Sequence, residues 1–150
     1  MISREPIFRI HCELATILDV GPAPFGHRRV VNILGGTIAG EKLSGRILPG
    51  GADWQIVAAD GAADIHARYT AESDAGALIQ VDSKGVRHGP PEVLARLAKG
   101  EDVDPSLYYF RTVMRFETSD PALAWLNRIL ALARGQRETR AVRLDVYEVE

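Results

Sequence analysis

The sequence predicts a mainly β, antiparallel fold, a sandwich or a barrel, and three observations predict it. Apolar and polar residues alternate in several short runs. The 14 glycines and 8 prolines fall mostly between those runs. Two of the runs lie near the chain ends, where pairing would close a barrel and remove exposed edges.

The elements follow in order. Ile7 to Ala15 places Phe8, Ile10, Cys12 and Leu14 on one face and Arg9, His11 and Glu13 on the other, a half-buried strand. Gly21-Pro22-Ala23-Pro24-Phe25-Gly26 is expected to be irregular, because proline lacks a donor and glycine favours turns. Strands are expected over about Arg28 to Leu34, with Gly35-Gly36 as punctuation, then Leu43 to Leu48, Trp54 to Ala58, Asp64 to Glu72, and Ala77 to Asp82 followed by Ser83-Lys84-Gly85. Pro90-Pro91-Glu92 opens a short helix that Gly100 stops. Asp120-Pro121 opens another near 120–130, with aspartate as cap and proline at the first position. Residues 129–133 fit the end of that helix or the start of a strand. Leu107 to Thr118 and Ala141 to Val149 are the last two strands.

Composition narrows the classes of function. At 150 residues, 46% hydrophobic and 25% charged, the chain is a single globular domain spanning 1–150. Its net charge of −2 provides no basic excess for a phosphate backbone, so no nucleic-acid partner is expected. One cysteine, Cys12, excludes an intrachain disulfide and a cysteine-rich zinc module. No apolar run is long enough for a membrane helix, and Met1 to Pro6 lacks a signal-peptide core. The expectation is a cytoplasmic protein without a membrane partner.

Catalytic signatures are missing. Gly35-Gly36-Thr37-Ile38-Ala39-Gly40 lacks the Lys-Ser/Thr ending of a P-loop and the dinucleotide fingerprint, so no cofactor is expected. His11, His27, His66 and His88 have no i, i+4 pairing, and no metal is expected. Three places carry chemistry. In Gly50-Gly51-Ala52-Asp53-Trp54, Asp53 is a candidate acceptor or general base and Trp54 a stacking surface. A turn aspartate followed by a core tryptophan is the plain alternative. In Asp64 to Thr70, the face that carries His66 and Arg68 is either solvated or turned into a barrel lumen, where Arg68 would bind an anion and His66 transfer a proton. In Tyr108 to Thr118, the core set Tyr108, Phe110, Thr112, Met114 and Phe116 alternates with Tyr109, Arg111, Val113, Arg115 and Glu117. The second set forms an exterior charge ladder or, turned inward, paired functional groups.

The runs Gly35-Gly36, Leu43 to Trp54, Ala67-Arg68-Tyr69, Tyr109-Phe110-Arg111-Thr112, Phe116-Glu117-Thr118 and Trp125-Leu126-Asn127, in this order and spacing, resemble the DUF3237 family, also called the UPF0311 proteins, over nearly the whole length. The resemblance implies a single antiparallel β-barrel, similar to calycin-like or allene-oxide-cyclase-like barrels, with no assigned activity. The chain departs from the family pattern at Val113-Met114, where a proline is usual, at Gly40-Glu41, where a Gly-Pro pair is usual, and at His66.

The leading expectation is therefore a barrel that binds a small hydrophobic or aromatic metabolite with an anionic group, through Trp54, His66, Arg68, Tyr109 and Arg111. The second is a cofactor-independent isomerase, cyclase or dehydratase, with Asp53 or Glu117 as the base or acid and Arg68 or Arg111 stabilising developing negative charge. The third is a homo-oligomer, a dimer by preference, with a structural role and a solid core.

Overall fold

The computed structural model describes residues 1–150. Ten antiparallel strands form one sheet: β1 Phe8–Leu14, β2 Leu18–Ala23, β3 Gly26–Ala39, β4 Gly45–Ile47, β5 Ala52–Val57, β6 Ala63–Ser73, β7 Leu78–His88, β8 Tyr109–Thr118, β9 Ala131–Arg137 and β10 Ala141–Glu148. The sheet closes as an eight-stranded barrel. Ten strands make eight staves because two staves are each built from two pieces. β1 and β2 both pair with the same edge of β3, along Ile33–Ala39 and Gly26–Val30 respectively. β4 and β5 share the gap between β3 and β6 in the same way. Closure runs through β1, which pairs with β10 on one side and β3 on the other. The predicted pairing of terminal strands is thus half of the closure, and β3 supplies the rest.

Several predicted boundaries move. β2 runs through Gly21-Pro22-Ala23, which the proline content had marked as irregular. Its other edge carries no strand, and on such an edge a missing N–H costs nothing. β3 continues through Gly35-Gly36, and β7 through Ser83-Lys84-Gly85. These glycines serve close strand approach and not turns. A Cβ on Gly36, whose φ is 151°, would lie 1.8 Å from the His11 carbonyl oxygen, and one on Gly85 would lie 2.0 Å from that of Arg111. The segment after Asp120 is a 3-10 helix, Pro121–Arg128, with the Asp120 carboxylate accepting from the Ala122 N–H. The ambiguous stretch that follows is β9. The first predicted helix is α1, Pro91–Ala98.

Alternation decides what fills the barrel. The inward residues of β1, β7, β8 and β10 join a large apolar cluster that includes Phe8, Ile10, Val81, Met114 and Val146. Leu123 and Leu126 of the 3-10 helix pack into it, and each fully buried side chain of this kind contributes about 1.5–3 kcal/mol. Asn127 fixes that helix to β8: its Oδ1 accepts from the Thr118 N–H at 2.8 Å and its Nδ2 donates to the Thr118 carbonyl at 2.9 Å. A smaller cluster sets Val93 of α1 and Val103 against Ala63, Ile65, Tyr108 and Phe110. No helix is long and apolar enough to cross a membrane.

Candidate functional site in the barrel lumen

Polar side chains interrupt the interior between the two apolar clusters. The inner face of β5 carries Asp53 and Gln55. Their strand pairs with β6 at Asp53↔Ala67 and Ile56↔Asp64, but the two positions between are unpaired. The Asp53 carboxylate occupies that gap. Its Oδ1 accepts the His66 backbone N–H at 3.0 Å, and its Oδ2 accepts from Gln55 Nε2 at 2.7 Å. Gln55 Oε1 in turn accepts from Arg29 Nη2 at 2.7 Å. On β7 and β8, the buried Ser83 hydroxyl donates to Thr112 Oγ1 at 2.9 Å.

Three arginines converge on the same end of the lumen. Arg29 begins the inner face of β3, while Arg87 and Arg137 end those of β7 and β9. β7 and β9 run parallel to one another and opposite to β3, so all three positions lie at one end of the barrel. Arg87 makes no hydrogen bond or ion pair through its guanidinium, which lies 5.6 Å from the centroid of the Phe110 ring. Arg137 Nη1 donates to the Ala141 carbonyl at 3.2 Å, and its backbone N–H donates to the Tyr108 hydroxyl at 2.9 Å. None of the three pairs directly with Asp53.

The electrostatics follow from this crowding. Burial lowers the Arg87 pKa to about 10, with Arg137 and Arg29 adding repulsion and Asp53 opposing it. Burial likewise lowers Arg137 and Arg29. Burial raises the Asp53 pKa, against the hydrogen bonds from Gln55 and the His66 amide and the charges of Arg87 and Arg29. Two buried side-chain polar atoms have no oxygen or nitrogen partner: Arg29 Nε and Tyr69 Oη, the latter beside the Cys12 thiol. Tyr69 is 3% exposed, and its pKa is pushed well above the ordinary value, chiefly by burial. A cavity of about 50 Å³ opens here, lined by Asp53, Gln55, Tyr69, Arg87 and Arg137 on a wall that includes Leu14, Ile17, Val31 and Val142. That volume holds a few waters or one compact chemical group.

The residues singled out from the sequence fall in separate places. Asp53 faces the lumen. Trp54, 45% exposed, is on the outer face, where it borders a shallow depression of about 280 Å³ with Arg68. His66 and Arg68 also point outward and both reach Asp82, at 3.3 and 3.5 Å. Tyr109 is exposed and stacked on His88, with ring centroids 5.2 Å apart. Arg111 sits over Tyr109 and lines a polar groove of about 860 Å³ with Arg9, Arg134 and Arg143. Glu117 is exposed on the outer face of β8, across from Gln80. Asp53 is thus alone among them in the lumen. Sequence reasoning missed Arg29, Gln55, Tyr69, Arg87 and Arg137. One signal was present: the inward series Val31–Ile33, Ile79–Val81 and Ala131–Ala133 each reach an arginine at the same barrel end.

Taken together, fold and site define a closed antiparallel β-barrel with a small, mainly apolar interior cavity that carries a carboxylate, an amide and arginines at one end. A family model described as "Protein of unknown function (DUF3237)" matches residues 2–149, and the chain belongs to that family. It is 40% identical over 143 residues to a UPF0311 protein of Rhodopseudomonas palustris, covering 95% of this chain and 94% of that one. It is similar to a crystal structure from Acinetobacter baumannii described as a beta-barrel like protein, with 45% identity, a TM-score of 0.86 and coverage of 100% and 97% of the two chains. The same fold recurs at 18% identity, with a TM-score of 0.73 and coverage of 100% and 94%, in a structure described as an enzyme from Penicillium herquei.

Proposed function

We propose that this barrel binds a small molecule bearing a carboxylate or another oxyanion, which it seats against Arg87 and Arg137, with Arg29 held behind Gln55. The observation that carries the reading is the excess of positive charge at one end of the lumen: half-buried Arg87 and Arg137 line the cavity with Asp53, Arg29 stands behind Gln55, and none of the three is ion-paired to the carboxylate. A cation drawn out of water without a partner is costly, and an incoming oxyanion would accept from Arg87 and Arg137, which line the cavity. The apolar wall of Leu14, Ile17 and Val142 suits a hydrophobic body beside that head group. Titration with propionate at constant ionic strength tests the reading. A saturable rise in melting temperature is expected, and a flat response to propionate and to inorganic phosphate would overturn it.

A second reading makes the site catalytic, a cofactor-independent isomerase, cyclase or dehydratase. The raised pKa of Asp53 favours it, because a carboxylate held above its usual range is a better proton acceptor near neutral pH. Asp53 would act as base and an arginine would stabilise developing negative charge. Glu117 lies outside this cavity, so Asp53→Asn should abolish turnover of a converted ligand while Glu117→Gln preserves it.

A further inference from the structure

We infer that the ligand of the lumen is an oxo acid, with a neutral carbonyl oxygen that accepts from the Tyr69 hydroxyl while its carboxylate is held by the arginines. This rests on the anion-binding reading and names the substrate class within it. Tyr69 lies two residues beyond Ala67 on the inner face of β6, and Ala67 is the register partner of Asp53, so Tyr69 and Asp53 are diagonal neighbours facing the same cavity. The Tyr69 hydroxyl is fully enclosed and finds no oxygen or nitrogen partner; the Cys12 thiol beside it is only a weak acceptor. A phenol without a strong acceptor in an apolar wall is destabilised, so an occupant that completes it is favoured.

The chemistry of the neighbours fixes what that occupant presents. Burial, with Cys12 and Asp53 adding, keeps Tyr69 protonated across the working pH range, so it is a donor. The oxygen it meets must therefore accept. A second anionic oxygen at this depth would face the Asp53 carboxylate. A hydroxyl would bring a proton that needs a further acceptor, whereas a carbonyl brings none; each Asp53 oxygen already accepts once, from His66 or from Gln55. A carbonyl meets both conditions. The arginines lie toward one barrel end and Tyr69 deeper, so the two ends of the ligand read different groups.

Two matched pairs of acids test this: pyruvate with propionate, and levulinate with pentanoate. Each pair differs at one carbon, a carbonyl in place of a methylene. By calorimetric titration, the wild type should bind at least one oxo acid about three- to tenfold more tightly than its partner. Tyr69→Phe should bring that ratio close to one, with the melting temperature confirming that the variant is folded. Arg87→Met should weaken all four acids and leave the ratio in place. Equal binding within both pairs by the wild type overturns the inference while the anion site stands. A ratio that survives Tyr69→Phe also overturns it. Absence of binding by all four acids overturns the anion site and the inference together.

Discussion

Gln55 donates to Asp53 across 2.7 Å, two residues along the same inner face of β5, and its other amide atom accepts from Arg29. The amide therefore stands between the carboxylate and the nearest hydrogen-bonded guanidinium. A direct Arg29–Asp53 pair would neutralise both charges. The relayed arrangement keeps a carboxylate and a cation available to something else in the lumen. Gln55→Leu should remove the relay and leave Arg29 Nη2 without its acceptor, a loss of about 1–3 kcal/mol measurable by urea unfolding.

Asp53 gives the barrel a pH signature. Its folded pKa lies above the unfolded value of 3.8, so the folded state holds the proton more tightly. The cost of ionising it is absent below pH 3.8 and grows as pH rises through the folded value. Asp53→Asn, which imitates the protonated form, should match the wild type near pH 4 and exceed its melting temperature at pH 7. A difference of opposite sign at pH 7 would contradict the balance between burial and the arginines.

Cys12 faces the same cavity, and burial pushes its thiol up to about 12. Little thiolate exists at neutral pH. Iodoacetamide should leave the native protein unmodified over hours and label it within minutes in denaturant, as intact mass spectrometry would show.

The glycine contacts set the barrel's tightest tolerances. Gly36→Ala forces a methyl against the His11 carbonyl, and Gly85→Ala forces one against that of Arg111, backbone atoms that cannot rotate away. Each should cost about 3 kcal/mol or more, read as a shift in the unfolding midpoint. Gly76→Ala meets no atom within 4 Å and should cost only the strain of its φ of 91°, about 1–2 kcal/mol.

Much of the barrel was legible in the sequence because period-two alternation reports burial directly. Phe8 to Leu14 and Tyr108 to Thr118 read correctly because each has one apolar and one polar face. Boundaries failed where glycine and proline act through packing between strands. Gly36 and Gly85 admit a neighbouring backbone, and Pro22 sits on an edge, so local turn chemistry misread all three. The lumen was less legible for a related reason. The outward pattern of Arg111, Arg68 and Glu117 looks the same in sequence as an inward one, because alternation assigns residues to a face without saying which face is inside. Arg87 and Arg137 become neighbours only after β7, β8 and β9 pair, and no short motif carries that proximity.

The most direct test of the lumen as an oxyanion site compares the wild type with Arg87→Met. A cation with its folded pKa near 10, below the unfolded 12.5, costs stability at every pH where it is charged, fully below about pH 10. Arg87→Met should therefore raise stability at pH 7 by about 1–2 kcal/mol, as apolar replacements of buried charges often do, and should abolish the rise in melting temperature that propionate gives the wild type. A variant less stable than the wild type, or one that responds to propionate as the wild type does, would contradict the account.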